Sequence, residues 1–151
     1  MTTFKTHVAL RVADVEKSVT FYQAMFGVAP VKYKVGYAKF DLQHPALNLT
    51  LNEAQTIQPQ GTLSHLGVQV GSIQDVQAAI QQFAEAGLNL FEEKNTDCCY
   101  ALQDKVWVTD PDGNRWEVFV VKVADTTPEE NIDVSTPRSA MPSAAGKSCC
   151  T

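Results

Sequence analysis

The chain has no long hydrophobic run: the apolar stretches within its 151 residues are strand-length, far short of the roughly 20 residues that a membrane-spanning helix needs. It has no basic run either. Twelve Lys and Arg face 17 Asp and Glu for a formal charge of −5, a balance that argues against nucleic acid and anionic membrane surfaces as partners. The opening Met-Thr-Thr-Phe-Lys-Thr-His7 leads into a strand-like pattern without the apolar core of a signal peptide. Cysteine is scarce, and its four copies form two adjacent pairs, Cys98-Cys99 and Cys149-Cys150. Neighbouring Cα atoms lie about 3.8 Å apart, whereas an unstrained disulfide wants about 4.4–6.8 Å, so neither pair suits an internal bridge. A bridge between the two pairs is geometrically open, but nothing else in the chain points to an oxidising compartment. The reading is therefore a cytoplasmic protein with reduced thiols. Two such thiols side by side can grip one soft atom from two directions.

What the chain does contain is a repeat. The segment from His7 to Gly27 has a counterpart from His65 to Gly87, each a period-two strand followed by an amphipathic helix. Val8, Leu10 and Val12 share one strand face, as do Leu66, Val68 and Val70, which turns His7 and His65 to the opposite faces. Asp14 is placed to cap the first helix, and Ser72 with Asp75 resembles a capping box for the second. Val15, Val19, Tyr22 and Phe26 form one buried stripe, and Ile73, Val76, Ile80 and Phe83 form the other. Gly27 and Gly87 supply the stops. Three strands follow each helix: 31–35, 37–42 and 47–51 in the first half, 89–93, 102–109 and 115–121 in the second. Asp110-Pro-Asp-Gly-Asn114 is a strong turn signal between the last two. The pattern predicts an α+β fold of two βαβββ modules, about 4–57 and 63–123, in a single domain over 1–123. Residues 55–62 read as the linker, and 124–151, rich in Pro, Ser, Thr and Ala, as a mobile tail.

Duplication singles out the histidines, since both occupy the same station of a repeat. Matching the final strands through their turns sets Glu117 against Asn48. Glu117 shares its strand face with Phe119 and Val121, so its carboxylate needs a partner. A metal ion held by His7, His65 and Glu117 would provide one; an ion pair with Arg11 or Arg115 is the plainer alternative.

The two modules, the histidine opening each, and Asp110-Pro-Asp-Gly-Asn-Arg-Trp-Glu117 resemble the vicinal oxygen chelate superfamily, over roughly residues 5–123. The resemblance implies two half-cups enclosing a divalent metal, with His7, His65 and Glu117 as its ligands. The pair Cys98-Cys99, with a cysteine-containing tail, further resembles the carbon-arsenic lyases and cadmium-induced proteins. That resemblance implies a non-haem iron(II) dioxygenase that removes the organic group from trivalent organoarsenicals, turning methylarsonous acid into arsenite. Other divalent ions, such as manganese, cobalt, nickel or zinc, can occupy such a site. Dioxygen and a trivalent organoarsenical are then the small-molecule partners, with a homodimer as a possible assembly.

Chemistry agrees with this reading. Two thiolates fill two of the three bonds of trivalent arsenic and leave the third to carbon, whereas arsenite prefers a third sulfur. Two histidines and one carboxylate leave positions open on iron(II), and Asn48, in the place of a fourth ligand, is a weak donor. Adjacent strand residues face opposite ways, so Cys98 and Cys99 are expected in a loop that carries substrate inward. Tyr100, Trp107 and Phe119 are candidates to line the pocket. Cys149 and Cys150 are candidates for accessory arsenic binding. Three rivals stand beside this reading. A fosfomycin-type thiol transferase would need a cationic pocket, and Arg11 is the one cation placed on the cup face. A non-catalytic arsenic- or cadmium-binding protein would need the thiols but not Glu117, and a glyoxalase-like isomerase is disfavoured by Asn48.

Overall fold

The computed structural model describes residues 5–58, 61, 63–98, 101–126 and 128. The chain runs β1 (Thr6–Val12), α1 (Val15–Phe26), β2 (Lys32–Lys34), β3 (Tyr37–Leu42), β4 (Leu47–Glu53), β5 (Leu66–Gln69), α2 (Ile73–Glu85), β6 (Leu90–Cys98), β7 (Ala101–Thr109) and β8 (Arg115–Val123). These elements are the two expected βαβββ modules. Each forms a four-stranded sheet, in the orders β1-β4-β3-β2 and β5-β8-β7-β6, with the first strand of each module parallel to its last. Among the described residues no helix is long and apolar enough to cross a membrane.

Alternation along the strands decides which way each sheet faces. Leu10, Val12, Ala38, Phe40, Leu49 and Leu51 lie on one face of the first sheet, and Val106, Val108, Trp116, Val118 and Val120 on one face of the second. Both sets belong to one buried cluster that also holds Val19, Tyr22 and Met25 of α1 and Val76 and Phe83 of α2. The polar face of each sheet therefore turns away from this shared core.

The helices begin and end as the sequence directs. The Asp14 carboxylate accepts from Lys17 N at 3.0 Å, and this backbone bond, despite slight opposition from desolvation, holds the acid below the usual Asp range. Ser72 Oγ accepts from Asp75 N at 3.2 Å and donates to the Asp75 carboxylate at 2.7 Å. Gly27 (φ 69°) closes α1, where a side chain would be strained in the left-handed region. Three stripe residues depart from expectation: Ile73, in the first turn of α2, is 40% exposed, and Phe26 and Ile80 are only half-buried.

The modules are clasped through the Asp110–Asn114 turn. Asp110 Oδ1 accepts from the backbone of Asp112 (3.0 Å) and Asn114 (2.8 Å), which shapes the turn itself. Its Oδ2 accepts from Tyr22 Oη of α1 at 2.6 Å, and that hydroxyl accepts in turn from Trp116 Nε1 at 3.2 Å. Asp112 Oδ1 accepts from Ala13 N at 2.9 Å. At the other end Gln82 of α2 donates to the carbonyls of Met25 (2.7 Å) and Ala24 (3.3 Å), two of the orphan acceptors at the end of α1.

Candidate functional site

His65 immediately precedes β5 and Glu117 lies in β8, which pairs with β5 in parallel. His65 Nε2 stands 3.6 Å from Glu117 Oε1, beyond a good N–H···O hydrogen bond. Two donors bound to one ion at about 2.0–2.2 Å span about 3–3.6 Å when they subtend roughly tetrahedral or square angles. The separation suits a shared metal better than a direct bond. Ser64 Oγ lies 2.9 Å from His65 Nδ1, which fixes the ring with Nε2 toward the carboxylate, and Trp107 meets the ring edge-on at 5.2 Å.

Space for Glu117 comes from Gly67, its cross-strand neighbour. A Cβ on Gly67 would stand 2.9 Å from Glu117 Cγ, too close for either group to stay in place. The donor types, their spacing and this cleared volume together fit a divalent metal.

The carboxylate's charge partner is neither Arg11 nor Arg115. Lys105, from the middle of β7, reaches Glu117 Oε2 at 2.9 Å with a side chain only 1% exposed. Its ammonium also lies 5.4 Å from the Trp107 ring and 5.9 Å from the Phe119 ring. Sequence reading did not pair this residue with Glu117, weighing it only as a cation that could favour the thiolate form of Cys98 and Cys99. The available signal was its parity with Trp107 on β7, on the strand face that registers against Glu117 and Phe119.

His7 is elsewhere. It sits on β1 opposite Asn48, whose carbonyl lies 3.1 Å from its Nδ1. Among the described residues no three His, Cys, Asp or Glu side chains are gathered closely enough to hold one ion. The expected triad is thus not assembled within one chain: His65 and Glu117 come together and His7 remains apart.

The register also corrects two expectations about the polar faces. His7 pairs with Asn48 and Ala9 with Thr50, whereas Gly67 pairs with Glu117. With His7 matched to His65 and Ala9 to Gly67, the counterpart of Glu117 is Thr50, two residues beyond Asn48. Asn48 Oδ1 is instead a buried acceptor for which the described residues supply no donor. Nor is Arg11 the sole cation on its face, because Lys39 registers against Thr50 and Lys32 against Lys39. The shortage of cations therefore no longer counts against an anionic ligand.

The cysteines are only partly described. Cys98 closes β6 and pairs with Ala101 at the start of β7, so it ends a strand rather than lying in a loop. Cys99, Tyr100, Cys149 and Cys150 lie outside the described residues, as does most of the tail. The β6–β7 ladder slips between Glu93 and Thr96, where Asn95 takes φ 51°. Asp104 Oδ1 accepts from Asn95 N at 2.7 Å, while Lys122 reaches Asp104 Oδ2 (2.7 Å) and Asn95 Oδ1 (2.8 Å). Desolvation raises the Asp104 carboxyl, but Lys122 and the Asn95 N–H outweigh it and hold the acid below the usual range. Thr126 donates to the carboxylate of Asp97, beside Cys98, at 3.0 Å.

Comparison with known proteins decides the family. The Glyoxalase/Bleomycin resistance protein/Dioxygenase superfamily model matches residues 6–118. The chain belongs to this superfamily. Within it, the chain is 50% identical over 126 residues to a trivalent organoarsenical cleaving enzyme of Bacillus sp., covering 83% of this chain and 76% of that protein. A second protein of that name, from Thermomonospora curvata, is 43% identical over 150 residues, covering 97% and 99%. The cadmium-induced protein CadI of Mycobacterium tuberculosis is 49% identical over 117 residues, covering 78% and 76%. Among solved structures, a superfamily member from Alicyclobacillus acidocaldarius matches with TM-score 0.65 at 12% identity, covering 79% of this chain and 92% of that one. A fosfomycin resistance protein from Listeria monocytogenes matches with TM-score 0.58 at 20% identity, covering 80% and 94%. These two likenesses concern the fold alone.

Proposed function

We propose that the protein is an iron(II)-dependent dioxygenase that cleaves the carbon-arsenic bond of trivalent organoarsenicals, with methylarsonous acid giving arsenite. The observation that carries this reading is its identity of 50% and 43% to two enzymes named for cleaving trivalent organoarsenicals. The 3.6 Å spacing of His65 and Glu117 supports a metal at that point.

In this reading His65 and Glu117 of one chain hold the ion and His7 of the partner subunit completes the set. β1 and β5 are edge strands of their sheets, so apposing the β1 edge of one copy to the β5 edge of another would bring the three donors onto one continuous polar face. An iron(II) ion bound there supplies the activation of oxygen. The chain's own residues do the rest. Cys98 and Cys99 capture substrate by exchanging the two hydroxyl groups of methylarsonous acid for two sulfurs, releasing two waters and leaving the arsenic-carbon bond untouched. Trp107 and Phe119, on the sheet face of Glu117, shelter the organic group from water.

Six residues of β7 separate the level of Glu117, opposite Trp107, from that of Cys98, opposite Ala101. At about 3.3 Å per residue this is up to about 20 Å along the strand. In this reading the end of β6 bends inward at the ladder slip beside Asn95 to bring arsenic to the ion, a motion that requires release of the Asp104 and Lys122 contacts holding Asn95.

The decisive experiment incubates the reduced protein and iron(II) with methylarsonous acid, in the presence and absence of oxygen, and follows arsenite. Oxygen-dependent release of arsenite is expected, with Glu117→Ala abolishing turnover while leaving arsenic binding through the thiols largely intact. Arsenite formed equally well without oxygen, or by the Glu117→Ala protein, would sink the reading.

A further inference from the structure

The site described above gives the Lys105 ammonium no task. A charge buried this deeply is costly unless it is paired and its remaining protons are satisfied, yet it stands in the middle of the polar sheet face, against the one carboxylate assigned to a metal. Two observations indicate its use. The two oxygens of Glu117 have different neighbours: Oε2 is held by Lys105 at 2.9 Å, and Oε1 faces His65 at 3.6 Å. The carboxylate also has little freedom to rotate, since its Cγ sits over the bare Cα of Gly67 and the Phe119 ring borders the same space.

We propose that Lys105 is a positioning residue that occupies Glu117 Oε2, so that the carboxylate presents Oε1 alone to a divalent cation held with His65. The inference rests on the metal reading above and deepens it. A carboxylate with both oxygens free can grip a cation through one or through both. One anchored by an ammonium donates singly and leaves a further coordination position for small-molecule ligands. The same positive charge repels a dication, so the chain gives up metal affinity for an open position.

The probe is Mn(II), a hard ion with little taste for the thiols, added to the full reduced chain. Free Mn(II) is followed by its paramagnetic resonance signal, and the carboxylate stretches by infrared difference spectroscopy. Lys105→Met, whose apolar end suits the Trp107 and Phe119 faces, is expected to bind Mn(II) at least about tenfold more tightly than the parent. Its asymmetric and symmetric carboxylate stretches should draw together as Glu117 becomes bidentate. Lys105→Arg, which keeps a cation, should retain the parent's band separation. Lys105→Gln removes the charge but keeps a polar end; it is expected to tighten binding likewise, and it decides the question should the methionine variant not fold. Affinity within twofold of the parent in the uncharged variants, or an unchanged band separation in Lys105→Met, would overturn the role given to Lys105. Parent protein that binds Mn(II) no better than Glu117→Ala would overturn the metal reading, and this inference with it.

Discussion

The Tyr22 hydroxyl joins two modules through two hydrogen bonds, one to Asp110 and one from Trp116. Burial first, and then the Asp110 charge, push its phenol well above the usual tyrosine value of 10.0. Because the folded state holds this proton more tightly than the unfolded chain, the contribution to stability is complete below about pH 10 and is lost as pH rises beyond it. Tyr22→Phe should cost about 1–3 kcal/mol at neutral pH by stranding the Trp116 N–H and removing one of the donors to the Asp110 carboxylate, and it should flatten the alkaline loss; urea unfolding at several pH values checks both. Gly67→Ala acts on the site instead. Its Cβ displaces the Glu117 side chain and weakens its pairing with the buried Lys105 ammonium, so divalent-metal affinity is expected to fall about 10- to 100-fold and the unfolding midpoint to fall with it, as calorimetry of both would register. The sequence showed His65 and Glu117 as a pair because duplication and an unpartnered carboxylate mark them. It hid Lys105, since a strand lysine normally reads as solvent-facing and only the inter-strand register reveals what it touches.

Regular elements were legible wherever local chemistry decides them. Both helices begin on the caps that Asp14 and Ser72 announce, and period-two alternation located seven of the eight strands in nearly their final form. The exception is β6, expected over 89–93 but continuing to Cys98. Lys94-Asn-Thr-Asp97 is polar and resembles a loop, and it is kept in the ladder by non-local contacts, the Asp104 carboxylate and the Lys122 ammonium, that no single stretch of sequence displays. Those contacts also give the hairpin its own stability. Asp104→Ala leaves the Asn95 N–H without its acceptor and Lys122 without its carboxylate partner, so amides from Thr96 to Cys98 should exchange faster by a factor of ten or more, with smaller changes in α1 or β4. Hydrogen exchange read by mass spectrometry distinguishes this local loosening from global unfolding.

At the level of the whole molecule, one core serves two sheets whose polar faces point away from it. That arrangement was not legible, because a repeat specifies two similar modules without specifying how they meet. It explains why His7 stands apart from its expected companions. If the partner subunit supplies His7, mixing His7→Ala chains with Glu117→Ala chains should restore activity. Half of the randomly formed dimers are then mixed, and each carries one intact site of two, for about a quarter of the parent's turnover. Recovery measured after mixing and re-equilibration checks this, and its absence would count against a shared centre.

The clasp that Asp110 forms on Tyr22 of α1 and Asp112 on Ala13, just before α1, has a practical corollary. By bracing the two halves back to back, it makes a lone copy a finished fold and, on the proposed reading of a shared centre, an unfinished catalyst. Output per chain should then decline on dilution, as solitary copies come to outnumber those with company.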